Sequence, residues 1–203
     1  TAYSGDCRLL PITLQHFKHQ TFCPYEIIIY VSNVNSIDIP PTIDIANKTV
    51  MIHKVVSTKR TMQSVARNIC SSISTGDIIV FFDVDDIPHP QKLEITSNIF
   101  NNHNIDFLLH NFTTNNTLFP KIDLNTLTLR NDLSLNPQNT NLICDEWPIH
   151  HAHIAVKKHV FNHIKFDESL SMYRKEDGRF CQDLLSNNYI GYYCTSPLVS
   201  YTT

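Results

Sequence analysis

Two short apolar runs, Glu26–Val31 (EIIIYV) and Asp77–Phe82 (DIIVFF), constrain this chain most, because each reads as a strand with almost no polar face. A strand that is apolar on both sides has to be covered on both sides, which is the condition of a parallel strand packed between helices. Val50–Val56 (VMIHKVV) supplies a third strand. Between it and the Asp77–Phe82 run, Met62, Val65, Ala66, Ile69, Cys70 and Ile73 recur at helical spacing. That period predicts a helix over Thr61–Ser74, stopped by Gly76. Strands alternating with amphipathic helices make an α/β domain. A weaker helix is expected over Asp6–Phe17, with Pro11 near its first turn or kinking it.

Past Pro90 the pattern loosens. Gln91–Phe100 reads as helix, Ile105–His110 as strand, and Glu176–Asn187 as a last helix leading to Tyr189–Cys194 and Pro197–Tyr201. Asn111–Asn141, rich in Asn and Thr, reads as long loops or short antiparallel strands. With 203 residues, no internal repeat and no linker, the chain is expected to be one domain with a regular first half and an irregular second half.

Several function classes are excluded or disfavoured early. Net charge is −3 with no basic run, so nothing in the chain is built to follow a phosphate backbone. The longest apolar runs, Ile27–Val31 and Ile78–Phe82, are far too short to cross a bilayer, and no signal peptide is visible. Six cysteines (Cys7, Cys23, Cys70, Cys144, Cys181, Cys194) form no CxxC pair, which favours a reducing, cytoplasmic setting. Asn47, Asn111 and Asn115 open N-x-S/T triplets, which chance supplies in so asparagine-rich a chain.

The chemistry concentrates in Ile78–Pro90, IIVFFDVDDIPHP. An apolar strand runs into Asp83, Asp85 and Asp86, and open α/β sheets bind ligands beyond the carboxyl ends of their strands. In extended backbone Asp83 and Asp85 point the same way, and two adjacent carboxylates call for a cation. Mg²⁺ or Mn²⁺, with their preference for oxygen, are the natural partners. Pro88 and Pro90 are expected to end any strand. The plain alternative is an acidic turn, but three acids within four residues behind a buried strand favour a ligand site.

Ser64–Glu94, SVARNICSSISTGDIIVFFDVDDIPHPQKLE, resembles the inverting family 2 glycosyltransferases of the GT-A fold, which carry an Ala-Arg-Asn helix, a Gly-Asp turn, a hydrophobic strand and an Asp-x-Asp-Asp motif in that order. Thr1–Asn33 is similar to the segment from the family's first loop through its second strand. The resemblance implies a Rossmann-like, mostly parallel nucleotide-binding sheet flanked by helices, with residues 1–86 as the nucleotide-sugar half and 87–203 as the irregular acceptor half. It implies a nucleotide-diphosphate sugar as donor and a carbohydrate or glycoconjugate as acceptor. It puts Asp83 near the ribose and diphosphate, makes Asp85 the principal metal ligand with Asp83 beside it, and sets Arg67, Asn68, Tyr3, Ser32 and Asp86 on the donor side. By spacing alone, Arg67 and Asn68 read equally well as the solvated face of their helix. The chain departs from the family in two ways. The family's first strand should precede Thr1, so the chain is expected to be part of a longer one. Val31, Ser32 and Asn33 stand where acids often read uracil, so a UDP-sugar is expected on family grounds only.

A second acidic pair, Glu176-Asp177, opens the last helix. Acids there complement a helix dipole, but transfer to a hydroxyl also needs a group that takes its proton. Phe166–Leu185, FDESLSMYRKEDGRFCQDLL, resembles the family motif whose final aspartate is the catalytic base, which implies Asp177 as base and Glu176 as an acceptor-side neighbour. Trp147, in Asp145-Glu146-Trp147-Pro148, stands where the family meets its acceptor, though a lone Trp is as often core. His150, His151 and His153 match no familiar zinc spacing, so a histidine metal site is the weaker reading beside acceptor contact or solvated surface, and His153 is taken as an acceptor-side candidate. The rivals are a sugar nucleotidyltransferase, against which the lack of a glycine-rich phosphate loop argues, and an inactive binding relative, against which intact Asp83, Asp85 and Asp177 argue.

Overall fold

A computed structural model describes residues 2–3, 7–114, 119–135, 142–144, 147–148, 153–172 and 175–201, with backbone alone for 2–3, 135, 142–144 and 147–148. The first sheet holds β1 (Ala2–Tyr3), β2 (Glu26–Ser32), β3 (Thr42–Ile45) and β4 (Lys48–Ser57) in the order β1-β2-β4-β3. β1, β2 and β4 run parallel, as the unbroken apolar run of β2 requires, and β3 is antiparallel to β4. Ala46 and Asn47, both with positive φ (47° and 62°), make the two-residue turn between β3 and β4.

The second sheet takes β5 (Ile78–Val80), β6 (Ile87–Pro88), β7 (Phe107–Thr113), β8 (Leu129–Arg130), β12 (Ala155–Lys157) and β13 (Gly191–Ser200). Its order is β5-β12-β7-β13-β6, with β8 also on β13. Only β13 with β7 is parallel there, so the parallel character of the fold lies in the first sheet. A small antiparallel ribbon joins β9 (Ser134–Leu135), β10 (Leu142–Cys144) and β11 (Trp147–Pro148). Gly191 lies opposite Phe107, whose ring fills the space a Cβ would need, so β7 and β13 can approach only with glycine there.

Four helices are found among the described residues: α1 (Leu10–Lys18), α2 (Gln63–Ile73), α3 (Lys92–Asn102) and α4 (Glu176–Ser186). α1 starts at Leu10, later than expected, with Pro11 in its first turn where a missing N–H costs nothing. Its Thr13 Oγ1 donates to the Val84 carbonyl at 2.5 Å, tying the first sheet's helix to the segment after β5. Pro88 does not end all pairing as expected. Ile87–Pro88 forms a short edge strand against β13, the position in a sheet that tolerates proline. An apolar cavity of about 470 Å³ lies between β2 and β5, walled by Leu14, Ile27, Ile29, Ile79 and Leu93; Asp83, Asp86 and His153 do not line it.

Candidate functional site

β5 stops at Val80, and the chain turns at Val84 and Asp85 with Asp86 N–H donating to the Asp83 carbonyl at 3.4 Å. The Asp77–Phe82 strand is therefore shorter than expected, and the extended geometry that would aim Asp83 and Asp85 together does not form. Val84 is pulled into the core of the first sheet, which fixes the turn. Asp83 and Asp86 then face inward while Asp85 stands exposed at the tip.

β12 pairs antiparallel with β5, Ala155 opposite Val80, and the ladder continues with Phe81 N–H to the Ile154 carbonyl at 3.1 Å. One residue further, this register delivers His153 to the turn. His153 is 3% exposed and its Nε2 lies 2.6 Å from Asp86 Oδ2, with Phe82 packed on the ring at 5.1 Å. The solvated-surface reading of His153 therefore does not hold. Asp83, Asp86 and His153 each bring one ligand atom within 4.8 Å of the others, a set that could hold a metal ion. The protonation of His153 and Asp83 fits. Burial pushes the His153 pKa down, which keeps the imidazole neutral as a ligand must be. Burial works against ionised Asp83, yet the Arg67 guanidinium holds its carboxyl below the usual range.

Behind this set lies a buried cation. Lys92 is 1% exposed, its Nζ meets His110 Nε2, and His110 Nδ1 lies 2.8 Å from the Asn111 carbonyl. A carbonyl can only accept, so His110 carries its proton on Nδ1 and receives the Lys92 hydrogen bond on Nε2. The His110 and His153 rings stack at 6.1 Å. Burial pushes the Lys92 pKa down to about 7, while Asp86 draws it back up.

Helix α2 buries Ser64, Ala66, Arg67 and Ser71 and leaves Ile73 44% exposed, so its inward face is not the apolar stripe the spacing suggested. Arg67, 3% exposed, reaches Asp83 Oδ1 at 3.4 Å through Nη2 and Glu176 Oε1 at 3.3 Å through Nη1. The solvated-face reading of this residue is overturned. Asn68 is committed as well: its Nδ2 donates to the Phe166 carbonyl (2.9 Å) and Glu168 Oε1 (2.8 Å), and its Oδ1 accepts the Phe166 N–H (2.9 Å).

Glu176 and Asp177 form the first turn of α4, as the sequence suggested. Glu176 turns inward to Arg67, while Asp177, half-buried, accepts the Gly178 N–H on Oδ1 at 2.8 Å. Ser32, at the carboxyl end of β2, is buried, and its Oγ has no hydrogen-bond partner among the described residues. Tyr3 and Trp147 are placed by backbone only, in β1 and β11. Asn115, Asp145, Glu146, His150 and His151 lie outside the described residues.

Sequence reasoning missed Lys92, His110 and Tyr201. His110 did leave a signal, a polar residue inside the apolar run FLLHNF. Tyr201 follows β13, and its phenol is pushed up by burial and then by Asp86, Asp85, Asp83 and Asp177, so it lies within electrostatic reach of all four. Two groups of carboxylates thus meet at one place, one on the turn after β5 and one at the start of α4, with Arg67 between them.

A family model described as "Glycosyl transferase family 2" matches residues 3–164. No curated protein matches the chain. Among solved structures, S. aureus TarS 1–349 in complex with UDP superposes with a TM-score of 0.67 at 14% identity, covering 100% of this chain and 59% of that one. TarS 1–349 in complex with UDP-GlcNAc gives 0.67 at 14%, covering 100% and 57%, and a further TarS structure gives 0.66 at 12%, covering 100% and 36%. The chain therefore spans less than three fifths of the length of each of these structures. These likenesses show the fold.

Proposed function

The chain belongs to glycosyl transferase family 2 and has its GT-A fold, and from that premise we propose that it moves a sugar from a nucleotide-diphosphate donor, a UDP-sugar, to a hydroxyl of a carbohydrate or glycoconjugate acceptor with inversion. The observation that carries the proposal is the meeting of the Asp83–Asp86 turn with the Glu176–Asp177 helix start around Arg67. The TarS structures with UDP and UDP-GlcNAc, alike in fold, support the choice of donor.

Asp83, Asp86 and His153 would hold a divalent metal, Mn²⁺ or Mg²⁺, and Asp85 stands exposed beside them on the same turn. Bound there, the metal would neutralise charge on the donor diphosphate. The mixed oxygen and nitrogen set favours Mn²⁺ over Mg²⁺, which prefers oxygen throughout. Residues 1–86 form the donor half, where the unpartnered Ser32 Oγ offers a hydrogen bond to the nucleoside and β1 brings Tyr3 alongside. Residues 87–203 shape the acceptor side, with Trp147 as a sugar-facing candidate.

Asp177 acts as general base. Its Oδ1 is held by the Gly178 N–H, which leaves Oδ2 to take the acceptor proton. As the hydroxyl oxygen bonds to the anomeric carbon, the bond from that carbon to the diphosphate oxygen breaks and its electron pair leaves with the nucleotide. Glu176, turned to Arg67, positions this helix start and does not meet the acceptor. The same proposal places the protein in the cytoplasm, on its scattered cysteines; no helix among the described residues is long and apolar enough to cross a membrane. In the test, Asp177→Asn binds nucleotide-sugar as wild type by calorimetry while transfer drops about a hundredfold or more. Loss of donor affinity in parallel with rate would place Asp177 in the donor site instead.

A further inference from the structure

We propose that Arg67 and Asn68 form a positioning clasp that sets where Asp177 stands relative to the Asp83–Asp86 turn; this rests on the transferase reading of the site. The two residues are neighbours on α2 and grip one long segment of the second half at separate points. Asn68 holds the Phe166 backbone by both its N–H and its carbonyl, as a strand partner would, and adds Glu168. Arg67 lies over the Phe166 ring at 5.4 Å and reaches Glu176, which immediately precedes Asp177. Its other end holds Asp83.

The chemistry of the two side chains suits the task. A guanidinium presents several N–H groups in a rigid fork, so one cation can hold two carboxylates at a fixed separation, which a lysine ammonium cannot reproduce. Phe166 is itself wedged in a stack, 4.1 Å from Phe180 and 5.1 Å from Phe81, so the grip on Phe166 is passed to α4 through Phe180. The segment is thereby fixed at its start through Asn68 and at its end through Arg67. Neither side chain needs to touch the donor for its loss to reach the chemistry, because a catalytic group displaced by about 1 Å can lose about a hundredfold in rate.

The experiment combines hydrogen exchange on the metal-free chain with kinetics and calorimetry on Arg67→Lys, Asn68→Ala and Glu176→Gln. In the two clasp variants, amides of residues 166–172 and 175–180 exchange faster, while those of β2 and β4 keep the wild-type rate. Where transfer is measured, kcat falls about tenfold or more with the calorimetric donor affinity within about threefold, and Glu176→Gln combined with Arg67→Lys is no worse than the poorer single variant, because both break one contact. Uniformly faster exchange over both sheets would reduce the pair to general stability and overturn the clasp. So would Arg67→Lys that weakens donor binding about tenfold with kcat unchanged, since Arg67 would then be a donor ligand. A wild-type chain that binds no nucleotide-sugar would sink the transferase reading, while the exchange pattern would still decide the clasp.

Discussion

Lys92 allows the buried charge beneath the site to be measured without knowing any substrate. Its ammonium is fully buried, and burial moves its pKa from 10.5 to about 7. Below pH 7 the folded and unfolded chains both carry the proton, so the cost of the buried charge is at its full value. Between about 7 and 10.5 the unfolded chain keeps a proton that the folded chain has released, so stability rises with pH. The limiting slope is about 1.4 kcal/mol per pH unit, and because the group is half-titrated at pH 7 the gain by pH 8.5 is about 1.7 kcal/mol. Above about pH 8.5, inside this window, Cys70, Cys181 and Cys194, whose thiols burial pushes up, act in the opposite direction. Urea denaturation in chelator at half-unit steps from pH 7 to 8.5 measures the slope. Lys92→Met, close in volume and unable to ionise, is expected to be flat over the same range, whatever its absolute stability. Equal slopes in the two proteins would refute the reasoning, because they would mean that the Lys92 ammonium keeps its ordinary proton affinity in the fold.

Three further outcomes follow from the same geometry. Asp86→Asn keeps the shape of the turn but removes one carboxylate from the set with Asp83 and His153, so Mn²⁺ affinity, read by electron paramagnetic resonance of the free ion, falls about tenfold or more; unchanged affinity would take Asp86 out of the set. Phe166→Ala empties the centre of a stack shared with Phe81, Phe161 and Phe180 and is expected to cost about 3–5 kcal/mol in urea denaturation, where a loss below about 1 kcal/mol would mean the stack collapses around the gap. An α-linked donor is expected to give a β-linked product, read from the anomeric coupling by proton NMR, and an α product would remove the role given to Asp177.

The sequence made some of this legible because local pattern and tertiary demand agree there. The unbroken apolar run of Glu26–Val31 can be satisfied only between two covered faces, and β2 is indeed a central parallel strand. Glu176 opens α4 as expected, since acids at that point suit both the helix dipole and the site. The turn after β5 was not legible, because alternation in an extended strand says nothing about where the strand stops. Val84 packing into the first core and the Thr13 bond to its carbonyl decide that, and both come from distant segments. Helix α2 misled for a related reason. Its period was right, but a buried face made of Ser64, Arg67 and Ser71 looks solvated until Asp83 and Glu176 are seen to face the guanidinium. His153 likewise gains its partner from a residue 67 positions away, which no local spacing can report.

The central claim is that the two carboxylate groups around Arg67 form one transferase site with a nucleotide-sugar donor. Its most direct test is nucleotide release from UDP-sugars, followed chromatographically for the wild-type chain with Mn²⁺, for the same chain in excess chelator, and for Asp83→Asn with Mn²⁺. Release is expected with Mn²⁺ alone, with near-complete loss in chelator and in the variant. Undiminished release in excess chelator, or from Asp83→Asn, would contradict the account.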